Sequence, residues 1–302
     1  MIMKKTSYTL LSTSILFISI LLNMNATAQT FKSIEGGALR LNVYHAAETS
    51  FGVASVIVSG QTDAVLIDAQ FTLSDAKRVA EEIKASGKNL TAIYVSYADP
   101  DFYFGLEVFK SYFPSVTVYA TETTIERIKQ TAQKKLDVWG PQLAENGTKN
   151  VVLPQLLKGN GLELEGNKLE IVNVEGAAHR AFVWIPSIKA VVGGINIFGS
   201  GFHLWLADDA TAEKREQWLT ALDKIEALKP AIIIPAHFGE AAALNIESLK
   251  YDRAYIKAYA DALTKVKTSA ELIELMKKQY PAATFDIALQ LGAKVNTGEM
   301  KW

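Results

Sequence analysis

The chain has 302 residues, 49% of them apolar, with 31 Lys and Arg against 32 Asp and Glu, a formal net charge of −1, and no cysteine. Balanced charge without basic clusters argues against nucleic acid as a partner, because phosphate binding needs a concentrated run of Lys and Arg. Without cysteine there is neither a disulfide framework nor a lipid-anchoring thiol, and the core alone must hold the chain together.

Lys4 and Lys5 precede an apolar stretch from Thr9 to Leu22, and Ala26-Thr27-Ala28 forms a small-x-small cleavage site before Gln29. Residues 1–28 thus read as a secretory signal peptide, which implies a periplasmic or secreted protein. The stretch is too short and too dotted with Ser and Thr for a membrane span of roughly 20 residues, and no comparable run follows. Residues 29–302 are enough for one large core, and a single domain is expected.

VASVIV at 53–58 and AVLID at 64–68, split by the turn Ser59 to Thr62, predict a hairpin. Ser74 is placed to cap a helix running through Ile83, with Gly87 beyond its end. TAIYV at 91–95 reads as a strand, residues 105–112 as a short helix, VTVYA at 116–120 as a strand, and Thr121 to Leu136 as a helix. After Gly140-Pro141, LELEGNKLEIVNV at 162–174 alternates apolar and charged residues about a Gly-Asn turn, the pattern of a half-buried hairpin. FVWIP and AVVGG continue the strands, and Ala212 to Leu228 is an amphipathic helix. AIIIPAH at 231–237 is a buried strand ending in a histidine, and 246–265 and 269–279 read as helices. There is no internal repeat. Hairpins with interspersed helices, repeated in the second half, predict an α+β fold in which two sheets pack face to face with helices outside, an αββα sandwich.

The chemistry gathers after the 91–95 strand, in YVSYADPDFYFG at 94–105. Asp99 and Asp101 lie two apart, so in an extended loop they point the same way, and Pro100 stiffens the segment between them. They could bind a cation or act as an acid–base pair; turn chemistry capping a helix that begins near Phe102 is the competing reading. Of four histidines, His237 stands just past a buried strand, where such folds place their sites. His179 lies in a loop and is either a ligand or an exposed polar residue. His203, in GFHLWLAD beside Trp205, suits an aromatic-packed structural role, with ligand contact as the alternative. His45 has no supporting context. Tyr97, Phe102, Tyr103, Phe104 and Trp205 offer stacking surfaces for a small molecule, or plain core packing.

On these residues the chain resembles the metallo-β-lactamase-fold superfamily: LIDAQ at 66–70, the strand and loop at 91–105, Gly193-Gly194, and PAH at 235–237. The resemblance implies a hydrolase fold with a loop of the form Thr-His-x-His-x-Asp-His followed by Gly. Here the frame reads Ser96-Tyr97-Ala98-Asp99-Pro100-Asp101-Phe102, with Gly105 after it. The three imidazole positions are therefore Tyr97, Asp99 and Phe102, and only Asp101 matches. Ile195 stands where a bridging aspartate would follow Gly194, His237 matches the last ligand histidine, and His179 lies off the frame of the intervening one. A narrower resemblance is to secreted members with a loop like SHADPDHYFGLE and the ending GEMKW, found here at 298–302; against these, Asp99 is ordinary and Tyr97 and Phe102 are the departures.

Zinc hydrolases need about three ligands around an open position to lower the pKa of a bound water to about 7. Phe102 has no lone pair, and Tyr97 is a phenol with an ordinary pKa near 10. A two-zinc site is thus not expected. The ligand set Asp99, Asp101, His237 and His179 holds one ion at most, so the cofactor expectation is none, or a single zinc, manganese or iron, with calcium also suited to the oxygen-rich set. Asp99 and Asp101 are the candidate catalytic pair, and Tyr97, Phe102, Tyr103, His203 and Trp205 the candidate substrate-binding residues. The functional expectation is a small-molecule-binding pseudo-hydrolase; the alternative is a hydrolase of an ester, lactone or amide, β-lactams included. Oligomeric state is left open.

Overall fold

A computed structural model describes residues 30–302 of the chain. The signal-peptide reading of 1–28 lies outside the described residues. The first sheet runs in the order β1 (Thr30–Glu35), β2 (Arg40–His45), β3 (Ala54–Ser59), β4 (Asp63–Ile67), β5 (Asn89–Tyr94), β6 (Thr117–Ala120) and β7 (Gln155–Leu156). It is antiparallel as far as β4 and parallel from there on. The second sheet holds β8 (Gly161–Leu164), β9 (Asn167–Val172), β10 (Phe182–Ile185), β11 (Ala190–Val192) and β12 (Ile232–Ile233), in spatial order β12-β11-β10-β9-β8.

The strand period of two divides the apolar residues between layers. Leu41, Val43, Val56, Val58, Val65 and Ile67 of the first sheet meet Leu169, Ile171, Val183, Ile185 and Val192 of the second in the central core. The alternate residues Tyr44, Ile57, Leu66 and Ile93 pack under α1 (Leu73–Ala85), α2 (Pro100–Tyr103), α3 (Leu106–Tyr112) and α4 (Glu122–Leu143). Phe182, Trp184 and Val191 face α5 (Ala212–Ala227), α6 (Ile246–Leu263), α7 (Ser269–Gln279) and α8 (Asp286–Asn296). This is the αββα sandwich expected from the sequence, and no helix among the described residues is long and apolar enough to cross a membrane.

Several local expectations differ. The strand expected over 231–237 is confined to β12, and His237 lies beyond its end, joined to Val53 by an isolated bridge. The cap of α1 is Thr72, whose hydroxyl accepts from Asp75 N–H; Ser74 sits inside the helix with its N–H bonded to Asn146. The helix expected to end at Leu136 continues to Leu143 through Pro141, which falls in the last turn, where one missing N–H costs a single bond. β1, β2, β7 and α8 are not expected from the sequence, because their apolar pattern is short or interrupted by polar residues that lie at the surface.

Two backbone approaches position the site loop. Gly105 brings its N–H to Gln70 O at 3.0 Å, and a Cβ there would lie 2.0 Å from Ala69 O, so no larger residue fits. Gly194, at φ 76°, sits so close to Ala181 O that a Cβ would come within 2.4 Å.

Candidate functional site

The loop leaves β5 and is pinned from below. Asp68, at the end of β4, accepts from Ser96 N–H at 2.7 Å and Ser96 Oγ at 2.6 Å, and Ser96 Oγ in turn accepts from Gly194 N–H at 2.7 Å. One hydroxyl thus ties together the β4 end, the loop and the glycine pair. Burial pushes Asp68 up to about 7 against the two Ser96 hydrogen bonds, which favour the carboxylate.

His237 follows β12 and is held where the two sheets meet: Ala236 N–H donates to Ile197 O, Ala54 N–H to Ala236 O, and His237 bridges to Val53. Its Nδ1–H donates to Phe51 O at 3.0 Å, which fixes the tautomer and turns the Nε2 lone pair toward Asp101. Asp101 Oδ2 lies 3.4 Å from Nε2, and both residues are buried, at 5% and 4% exposure. Burial lowers His237 to about 4. It pushes Asp101 well above the carboxylate range, with Asp99 adding to the rise. Both shifts favour the uncharged forms. The imidazole is walled by Phe198, stacked at 4.8 Å, and by Phe102, edge-on at 5.7 Å. Phe102 is therefore more than a missing ligand, because its ring closes the enclosure around His237.

Asp99 turns the other way. Its carboxylate contacts the ammonium of Lys135 on α4, which also donates to Ala98 O at 3.0 Å. Nearby, Arg180 meets Asp209 at 2.7 Å with both side chains buried, and its guanidinium lies 4.4 Å from the Trp218 ring. Asp208 is half-buried and accepts from the Trp302 indole N–H at 2.8 Å. Burial, then Asp99, raises Asp208 above the ordinary range. Around the loop, three carboxylates thus meet two side-chain cations: Asp99 has Lys135, Asp209 has Arg180, and Asp208 has a neutral indole.

The remaining candidates divide. Tyr97 is partly buried, edge-on to Phe102 at 5.5 Å, and its phenol is raised by desolvation first and then by Asp99 and Asp208. Tyr103 is buried, its phenol raised by burial and by the nearby Asp99 and Asp101. Trp205 is half-buried, with Trp302 at 5.8 Å and Phe51 at 6.4 Å, and Phe51 carries the contact on to Trp139 at 5.2 Å. Two histidines are directed elsewhere. His203 is fully buried with Nδ1 at 2.8 Å from Tyr255 Oη, and His179 is exposed on the turn Ala178–Arg180. A polar cavity of about 310 Å3, lined by Ser33, Arg40, Asn42, Glu82 and Lys88 among others, shares no residue with this cluster.

A divalent ion of the kind the resemblance implies needs converging free donors, and these residues do not fit one. Among the described residues no group of three or more His, Asp or Glu side chains is arranged to hold a metal. The donors that match the frame are spent on protein partners: His237 on Phe51 and Asp101, and Asp99 on Lys135. Lys135, Arg180, Asp208 and Asp209 were not singled out from the sequence, and Ser96 and Trp302 entered only as parts of the loop frame and of the ending GEMKW. Arg180 stands one residue past His179, and Asp208 closes the very stretch GFHLWLAD that drew attention to Trp205.

No protein-family model and no curated protein matches the chain. Among solved structures, DIM-1 metallo-beta-lactamase aligns with 76% of this chain and 98% of its own at 16% identity and TM-score 0.54. A metallo-beta-lactamase from Pontibacter korlensis aligns with 76% of this chain and 99% of its own at 17% identity and TM-score 0.54. A beta-lactamase domain protein from Burkholderia ambifaria aligns with 88% of this chain and 86% of its own at 12% identity and TM-score 0.62. Identities this low carry the architecture alone, and on that ground, with the αββα layers and the loop frame already described, the chain has the metallo-β-lactamase fold.

Proposed function

We propose that this chain is a metal-independent, small-molecule-binding pseudo-hydrolase, periplasmic or secreted as its leader pattern implies. The observation that carries the reading is the Asp101–His237 contact inside an aromatic enclosure: the two groups that best match the ligand frame face each other, shut off from solvent. A general acid or base must reach its substrate within hydrogen-bond distance, and at 5% and 4% exposure neither group presents itself. The more accessible rings near the pair are Tyr97, edge-on to Phe102, and Trp205 with Trp302, whose indole N–H meets Asp208, a carboxylate in no side-chain ion pair among the described residues. Such a surface suits a flat, largely apolar molecule, neutral or carrying a positive charge.

Tryptophan fluorescence of the full chain tests this directly. Titration with small aromatic amines, alcohols and carboxylates is expected to give saturable quenching by amines or alcohols with Kd below about 1 mM, lost when Trp205 and Trp302 are both replaced by Ala. No saturable quenching in the whole panel would contradict the reading. So would turnover of an ester, lactone or β-lactam that disappears in Asp101→Asn, the result that favours the hydrolase alternative.

A further inference from the structure

The loop at 96–102 carries Asp99 and Asp101, and a positive charge reaches it from another element of the chain. Lys135 reaches in from α4, 36 residues along the chain from Asp99, with 19% of its side chain exposed. It makes two contacts on the loop, the Asp99 carboxylate and Ala98 O, which lie on either side of one peptide unit. Its charge also reaches Asp101 and Asp208, lowering both against the dominant effect of burial. A single ammonium therefore pairs with one carboxylate and adds a weaker favourable field at two neighbouring acids, which is the electrostatic part a bound cation would play. Arg180 is not a substitute, because its guanidinium is committed to Asp209 and the Trp218 face. A divalent ion approaching Asp99 would meet the same oxygens already in contact with Lys135, and like charges at that range repel.

We infer that Lys135 is a resident replacement for the cation of this fold: its ammonium neutralises Asp99, ties down the loop through Ala98 O, and keeps divalent ions off the Asp99 carboxylate. The inference rests on the metal-independent reading above and deepens it. It makes Lys135 a positioning residue for the loop, and the exclusion of divalent ions from Asp99 a feature of α4 as well as of the side chains at 97 and 102.

The test is thermal melting of the full chain, as wild type, Lys135→Met, Lys135→Arg and Lys135→Met with Asp99→Asn, each with and without zinc or manganese chloride and then a chelator. Wild type and Lys135→Arg are expected not to respond to either ion. Lys135→Met is expected to melt lower by about 3 °C or more and to regain stability in about 100 μM zinc or manganese, reversibly with chelator. The double variant, lacking the carboxylate that needs a cation, is expected to melt close to wild type and to ignore the ions. If Lys135→Met does not fold, the added Asp99→Asn is expected to bring the melting transition back, and its failure to do so overturns the inference. A Lys135→Met chain that loses stability yet ignores both ions marks an ordinary ion pair and also overturns it, while leaving the metal-independent reading standing. A wild type stabilised by either ion overturns that reading itself.

Discussion

Replacing Arg180 by Met removes a charge from the most enclosed ion pair among the described residues and keeps most of the side-chain volume. Arg180 and Asp209 have side-chain exposures of 3% and 6% and meet at 2.7 Å, so the variant leaves a carboxylate desolvated beside an apolar chain. Breaking one half of such a buried pair costs about 3–5 kcal/mol, a range that includes the loss of the guanidinium from the Trp218 face 4.4 Å away. For a domain of this size that corresponds to a Tm lower by roughly 6–20 °C. The consequence reaches the site, because Asn196 donates to Arg180 O at 2.8 Å and Trp218 donates to Asn196 O at 2.7 Å, and this chain of bonds holds the segment after Gly194. Urea denaturation followed by tryptophan fluorescence measures the loss, and adding Asp209→Asn is expected to recover a large part of it. A loss below about 1 kcal/mol for Arg180→Met would refute the reasoning, since it would mean that Asp209 finds water or another donor at no cost.

Ser96→Ala removes the hydroxyl shared by Asp68 and Gly194 N–H, and is expected to cost about 1–3 kcal/mol in the same assay because a buried N–H loses its acceptor. His203 is held neutral down to about 4 by burial, whereas an unfolded histidine takes its proton near 6.5. The unfolded chain thus binds protons first, stability falls as pH drops through that window, and His203→Gln is expected to lose less stability than wild type between pH 6.5 and 5, by up to about 2 kcal/mol. Tyr97→His with Phe102→His restores two imidazoles to the loop; with Lys135 in place it is expected to take up little metal, and with Lys135→Met added, a full equivalent by equilibrium dialysis.

The layers were legible because periodicity survives translation into structure: VASVIV, AVLID and the alternating 162–174 hairpin each deliver one face to a core and the other to a helix or to solvent. The site was legible only through the resemblance of the loop and of PAH at 235–237. Asp99, Asp101 and His237 could be placed from the motif, and Asp101 and His237 do come together. What could not be read was which partners they take. Lys135 lies in a Lys-Lys pair on a helix with nothing in its neighbours to mark it, and its meeting with Asp99 depends on how α4 crosses the loop. Phe102 looked like a lost ligand, and its value as a wall for His237 depends on Phe198 arriving from a segment 96 residues away. His203 and His179 show the converse: a histidine near aromatics or near a loop carries no direction until the backbone gives it one.

The metal content of the full chain tests the central claim most directly. After incubation with zinc, manganese or iron and removal of free ion by gel filtration, less than about 0.1 equivalent per chain is expected, because Asp99 is held by Lys135 and His237 by Phe51 and Asp101. Retention of about one equivalent, lost in Asp101→Ala or His237→Ala, would contradict it.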